Sequence, residues 1–407
     1  MTMRIAYNTG EYPRATDTFI QREVAALRSL GVDVITCSIR RTAAEHHVGP
    51  EQLDEAAKTF YVIQAAKSPW RLLTSHLGEL IRSPVRYLAS LRLALELGWP
   101  GIKGRLRSLA YFVEAGVLAN ELRTRQVQHV HNHFANSSCS VAAIATTMCG
   151  IGLSITMHGP AIFFEPAKWH IGRKVGLAKF VSCISDFCRS QAMIFTKVRD
   201  WEKMNIVHCG VDSGLFEKRV HSELATQVLW VGRLAAVKGL PILLDAWARV
   251  SKEYRDVRLK LVGDGPDRAM IERRIKELGL EDRITITGYL SQSDVRTELQ
   301  RSDLFVMPSF AEGVPVVLME AMAAGIPVVA TRIAGVGELR EDGKHGLLEP
   351  PGNTDALAGA ILRLLGDRTL RQEFGDLGRV KVESDYNGLR EAEKLRELFS
   401  LSETNRH

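Results

Sequence analysis

The chain has 407 residues, 45 % of them apolar and 25 % charged. That is an ordinary globular composition. It excludes a disordered, collagenous or disulfide-stapled chain, since six cysteines in this length make no framework. The net charge of +6 is concentrated: between Lys67 and Arg125, ten basic residues face four acidic ones, and the remainder is balanced. A local basic patch points to an anionic partner, either a membrane surface, a phosphorylated lipid or a nucleic acid.

At roughly 150 residues per domain the length predicts two or three domains. In chain order, Met3-Arg4-Ile5-Ala6-Tyr7 reads as a first strand, and no apolar core of a signal peptide follows it. Further strands are expected at 32–39, 60–63, 129–131, 153–157, 180–184 and 206–208. A second series is expected at 227–231, 258–262, 284–287, 304–307, 327–330 and 346–348. Helical periods lie between them; after Lys238, for example, Leu240, Leu243, Trp247 and Val250 recur at spacings of three and four on one apolar face. Strand–helix alternation argues for parallel, doubly wound α/β sheets, and two series argue for two such domains around one cleft. A polar, strandless break near 212–224 separates them, which sets an N-terminal domain at 1–217 and a C-terminal one at 218–388. The amphipathic end of the chain, 389–407, is a candidate for packing back on the first domain. Between Gln126 and Phe164 no residue is formally charged, but Asn132, Asn136, Thr146 and Thr147 make this stretch too polar for a spanning helix and suit buried helix and strand. Unpaired, irregularly spaced cysteines fit a reducing cytoplasm.

Two runs carry the strongest chemical signal. In Trp230-Val231-Gly232-Arg233-Leu234-Ala235-Ala236-Val237-Lys238-Gly239 a strand ends, a short loop follows and a helix opens. A helix N-terminus favours anions, Arg233 offers a planar fork and Lys238 a point charge, together a clamp for a diphosphate. The alternative pairs Arg233 with a local carboxylate and leaves Lys238 in water. In Ser309-Phe310-Ala311-Glu312-Gly313-Val314-Pro315-Val316-Val317-Leu318-Met319-Glu320, Glu312 precedes a helix that begins around Pro315, and Glu320 lies within an apolar run. An ionised carboxylate there is costly unless bonded, so ligand hydroxyls or a core salt bridge must satisfy it.

In the first half, His158 and the pair His131 and His133 fall at strand ends. A single His-x-His without nearby carboxylates is a weak metal signal, and satisfied core histidines are the plainer alternative. No Asp-x-Asp, Walker loop, Gly-x-Ser-x-Gly elbow or His-Glu-x-x-His occurs, and Gly263-Asp264-Gly265-Pro266 lacks the third glycine of a dinucleotide fingerprint.

Taken together these residues resemble the retaining glycosyltransferase family four, with the GT-B fold. Glu312-x7-Glu320 is similar to that family's E-x7-E signature, and Val231-Gly232-Arg233-Leu234 with Lys238-Gly239 to its phosphate-binding stretch. Val262-Gly263-Asp264-Gly265-Pro266 and Gly288-Tyr289 fall where the family lines its base pocket. The opening Glu11-Tyr12-Pro13, Thr16-Asp17-Thr18-Phe19-Ile20 and Glu23, with His131-x-His133-Phe134, resembles the exopolysaccharide and lipopolysaccharide branch.

The resemblance implies roles. Glu312 would bond the donor sugar, Glu320 the ribose, and Arg233 with Lys238 the diphosphate. Gly232, Gly263, Tyr289 and the Gly313, Val314, Pro315, Val316 run would complete the donor site. His158 would lie beside the transferred sugar, and Thr16, Asp17, His131 and His133 on the acceptor side. It implies a UDP- or GDP-sugar donor, a lipid-linked saccharide acceptor, no divalent metal and no other cofactor. The protein would be cytoplasmic, peripheral on the inner membrane face. Trp70, Leu73, Leu77, Ile81, Val85 and Leu88, with Arg71, Arg82 and Arg86 between them, read as an amphipathic helix, either membrane-facing or core-facing. No nucleic-acid motif accompanies it. A silent sugar-nucleotide-binding subunit and a GT-B epimerase are the alternatives.

Overall fold

The computed structural model describes residues 3–99, 101–159, 161–339 and 341–404, so the last three positions of the expected final helix lie outside it. Among the described residues thirteen strands form, near every expected position: β1 Arg4–Glu11, β2 Asp33–Arg40, β3 Phe60–Tyr61, β4 His129–His133, β5 Gly152–Met157, β6 Phe180–Cys183, β7 Met204–Ile206, β8 Gln227–Val231, β9 Arg258–Val262, β10 Ile284–Ile286, β11 Leu304–Met307, β12 Val328–Thr331 and β13 Gly346–Glu349. They make two all-parallel sheets, in the orders β3-β2-β1-β4-β5-β6-β7 and β10-β9-β8-β11-β12-β13. Both are doubly wound, and each reverses direction where its first strand meets its fourth, the place where such sheets bind ligands.

The chain divides into two compact units. One holds 1–14, 20–208 and 392–407, the other Ala15–Phe19 and Cys209–Glu391. Thr16 and Asp17, expected with the N-terminal domain, therefore count with the C-terminal unit. In the N-terminal unit the last helix, Gly388–Thr404, lays Phe399 against His129, His131 and Phe180, with ring centroids 5.5, 5.3 and 5.3 Å away.

A parallel sheet is covered on both faces, so its strands are apolar runs. β11 and β12 obey this; all four residues of each are buried. Helix Leu240–Glu253 covers the C-terminal sheet with Leu240, Leu243, Leu244, Trp247 and Val250. Each such side chain contributes about 1.5–3 kcal/mol by leaving water. β4 is the exception: all five residues of His129-Val130-His131-Asn132-His133 are buried, four of them polar.

The apolar stripe at 70–88 lies on two helices, Pro69–Arg82 and Pro84–Glu96, broken at Ser83 before Pro84. It is not core-facing. Trp70 is 74 % exposed and Ile81 78 %, whereas the inward side of the first helix carries Ser75 and Glu79. Glu79 is buried because Arg123 grips it with two bonds of 2.8 Å, and Arg71 and Arg125 hold Glu121 in the same way.

Candidate active site

In the C-terminal unit the reversal falls between β8 and β11, and the two runs singled out in the sequence leave those two strands. Gly239 caps helix Leu240–Glu253 with φ +63°, and a Cβ there would come within 2.1 Å of the Pro308 carbonyl oxygen. The Phe310 N–H donates to the Val237 carbonyl at 2.8 Å. The loop after β8 and the loop after β11 are thus packed backbone to backbone, which only a glycine permits.

This juxtaposition sets the charges. Lys238 Nζ donates to Glu312 Oε1 at 2.6 Å, and Ser309 Oγ donates to the same oxygen at 2.7 Å. Among the described residues Oε2 of Glu312 receives no bond and Arg233 makes none, although Arg233 is exposed and Glu312 buried. The alternative weighed from the sequence is therefore inverted, because Lys238 is the paired cation and Arg233 the unpaired one. An ammonium has three protons, so Lys238 keeps two after bonding Glu312. Ser309 carried no assigned role in the sequence. A serine three residues before a site carboxylate was its only signal.

The helix expected around Pro315 runs Val316–Ala323, with Pro315 as its cap in extended geometry. Pro315 has no N–H, and the N–H groups of Gly313, Val314, Val316 and Val317 find no acceptor among the described residues. They add positive potential beside Glu312. Glu320 is buried on the next turns, among Leu318, Met319, Ala321 and Met322. On the other side of β8, Gly263 at φ +139° bridges Gly288, its N–H donating to the Gly288 carbonyl at 2.9 Å, and a Cβ on it would meet the Gly232 oxygen at 1.8 Å. This brings Gly232, Gly263 and the half-buried Tyr289 segment to the ends of neighbouring strands β8, β9 and β10.

The N-terminal unit gathers its histidines differently. On β4 and β5, His131 bonds Ser154 Oγ through Nδ1 and Thr156 Oγ1 through Nε2, both at 2.7 Å, and His129 also reaches Ser154 at 2.8 Å. His131 is fully buried, with both ring nitrogens bonded to these strand hydroxyls. His133 is equally buried. Its Nδ1 lies 2.7 Å from His158 Nε2 and its Nε2 3.2 Å from Glu23 Oε1, which also accepts the Tyr7 hydroxyl at 2.6 Å. Burial first, and neighbouring imidazoles second, hold His131 and His158 well below the usual histidine range. Burial and Glu23 push the Tyr7 hydroxyl well up. Glu23, His131 and His133 bring ligand-capable atoms within 4.8 Å of one another. A cation there would have to displace the Ser154 or Thr156 hydroxyl from His131. Thr16 Oγ1 donates to Asp17 at 3.1 Å.

Fold and site together define a protein of two Rossmann-like units, with a cluster of charged and polar side chains at the switch point of the C-terminal sheet. Residues 215–381 match the family model for glycosyl transferases group 1. Alpha-D-kanosaminyltransferase of Streptomyces kanamyceticus is 39 % identical over 326 residues, covering 74 % of this chain and 84 % of that one. Amylovoran biosynthesis glycosyltransferase AmsK of Erwinia amylovora is 26 % identical, covering 95 % and 96 %. Among solved structures, Anabaena Alr3699/HepE in complex with UDP-glucose superposes with a TM-score of 0.73 at 18 % identity, covering 98 % and 99 %. The chain belongs to the group 1 glycosyltransferases, and its two parallel-sheet domains are those of the GT-B fold.

Proposed function

We propose that the protein is a retaining, metal-independent glycosyltransferase. It moves a sugar from a UDP- or GDP-sugar to a lipid-linked saccharide in surface or exopolysaccharide biosynthesis. The observation that carries the reading is the Glu312 carboxylate, with one oxygen held by Lys238 and Ser309 and the other left for a sugar hydroxyl. The leaving nucleoside diphosphate gains negative charge. Unpaired Arg233, the remaining protons of Lys238 and the N–H groups of Gly313, Val314 and Val316 are fixed where they stabilise it, the task a divalent ion performs elsewhere. Glu320 takes the ribose hydroxyls, and Gly263 and Tyr289 border the base. His158 is assigned to the moved sugar, and Thr16 and Asp17 to acceptor recognition. The HepE complex supports UDP as the donor nucleotide, and AmsK supports a polysaccharide product.

The acceptor class rests on the exposed stripe. Helix Ile102–Thr124 extends it with Ile102 (80 % exposed), Leu106 and Leu109, and there Lys103 and Arg105 have no ion pair among the described residues. Apolar side chains interleaved with uncompensated cations suit an anionic bilayer, where a lipid-linked saccharide resides. No helix among the described residues is long and apolar enough to cross a membrane.

Thermal-shift measurements with UDP, GDP and ADP test the donor, since a specific ligand raises the melting temperature with its occupancy. Transfer is expected to persist in EDTA. The protein should sediment with phosphatidylglycerol vesicles and not with phosphatidylcholine alone. No shift with any of these nucleotides would defeat the donor reading.

A further inference from the structure

Resting on the bilayer reading above, we infer that residues 161–169 form a second part of the membrane-contact surface, stapled by Trp99 to the basic helices. These residues begin three positions after His158 and follow β5, so the contact lies on the chain that leaves the carboxyl end of the sheet.

The staple is built around one indole. Trp99 lies in the turn between helices Pro84–Glu96 and Ile102–Thr124. Its N–H donates to the Lys168 carbonyl at 3.1 Å, and its ring meets Trp169 edge to face with centroids 6.0 Å apart. Arg107 Cζ and Lys168 Nζ stand over the Trp99 ring, 4.1 and 4.5 Å from its centroid, as cation–π partners. Beside it Arg173 reaches Glu96 at 3.1 Å. A Cβ on Gly104 would come within 1.9 Å of the Trp99 carbonyl oxygen, so the start of the helix closes directly on this turn. These contacts hold 161–173 and 96–107 as one piece.

The piece presents an apolar rim with positive charge. Phe164, at the end of helix Ala161–Phe164, is 71 % exposed, and Ile102 and Leu106 are exposed on the helix that Trp99 joins to it. Trp169 is half-buried, and its indole N–H has no acceptor among the described residues. Aromatic rings with one polar edge suit the boundary between headgroups and acyl chains. Residues 92–107 and 161–173 together hold six basic and two acidic residues. Both acidic ones are paired, Glu96 with Arg92 and Arg173 and Glu165 with Lys168, while Lys103, Arg105 and Arg107 have no ion pair among the described residues. The uncompensated charge is therefore positive. A second copy of this chain would bring the same cations to the same rim, whereas anionic headgroups neutralise them.

Hydrogen exchange of the full chain with and without phosphatidylglycerol vesicles tests this. Residues 161–169 should gain protection together with 101–109, and phosphatidylcholine vesicles should leave both unchanged. Phe164→Gln, an exposed change expected to keep the circular dichroism spectrum, should weaken partition into phosphatidylglycerol about five- to thirtyfold, the worth of part of a phenylalanine leaving water. Leu224→Gln removes an equally exposed apolar side chain from the other unit and should leave partition unchanged. Protection at 101–109 with none at 161–169, or undiminished partition of Phe164→Gln, overturns the inference and leaves the bilayer reading standing. An equal loss in Leu224→Gln overturns it likewise. Absence of any binding to phosphatidylglycerol overturns both. Protection of 161–169 that grows with protein concentration in the absence of vesicles would make a second copy the occupant, and overturns the inference too.

Discussion

The two units repeat one topology and treat polarity in opposite ways. At the candidate site of the C-terminal unit, Arg233, Lys238 and Glu312 stand on loops beyond the strand ends, where water, helix N-termini and one ion pair offset their charge. On β4 and β5 of the N-terminal unit the polar groups are on the strands themselves, fully buried, and they are histidines set against serine, threonine and one nearby carboxylate. Burying an isolated charge costs far more than burying a hydrogen-bonded neutral group. A parallel sheet can therefore hold a ladder of hydrogen-bonded imidazoles, but groups that keep a full charge are better placed at its rim.

Four changes would break or sharpen this contrast. The largest effect is expected at Glu312→Gln, which keeps the shape but loses the charge that orders Lys238. Transfer should fall by about 10²–10³-fold, with an unchanged circular dichroism spectrum; near-normal turnover would remove Glu312 from the site. Next is Arg233→Ala. Arg233 has no partner among the described residues, so stability should move by less than about 0.5 kcal/mol. The affinity for the donor nucleotide, read by calorimetry, should drop roughly ten- to a hundredfold, the worth of a charge-assisted bond.

The third concerns acid. His131 and His158 have folded-state values below 6.5, so the unfolded chain binds more protons, and their stabilising share is complete above that pH and lost as pH falls below it. Each proton excluded from the native state costs about 1.4 kcal/mol per pH unit. Hydrogen exchange, corrected for its intrinsic pH dependence, should show 129–133 and 152–157 losing protection between pH 6.5 and 5. The residues of β8 should change less. Equal losses in both sheets would erase the distinction. The smallest effect on stability is expected at Ile81→Gln combined with Leu106→Gln. Both side chains are exposed, so folding should hold within about 0.5 kcal/mol while sedimentation with anionic vesicles weakens.

Much of this organisation was legible in the chain itself. Strands such as Leu304–Met307 and Val328–Thr331 are apolar runs between helical periods, and helix Leu240–Glu253 shows its apolar face at 240, 243, 247 and 250, because buried parallel sheets and their covering helices leave no other pattern. The direction of the 70–88 stripe was not legible. An amphipathic period gives a helix two faces without saying which one turns inward, and here the inward face is chosen by Glu79, which Arg123 reaches from 44 residues away.

The sequence by itself determined the two doubly wound sheets, the family motifs and the residues that leave β8 and β11, since local periodicity and short spacings carry that information. Only the tertiary structure decided that Lys238 pairs with Glu312 while Arg233 does not, that Ser309 bonds the same carboxylate oxygen, and that Glu23 comes within 3.2 Å of His133 across 110 positions of chain. Those choices depend on which loops and strands become neighbours, and a spacing along the backbone does not record a distance of 3 Å between residues far apart in it.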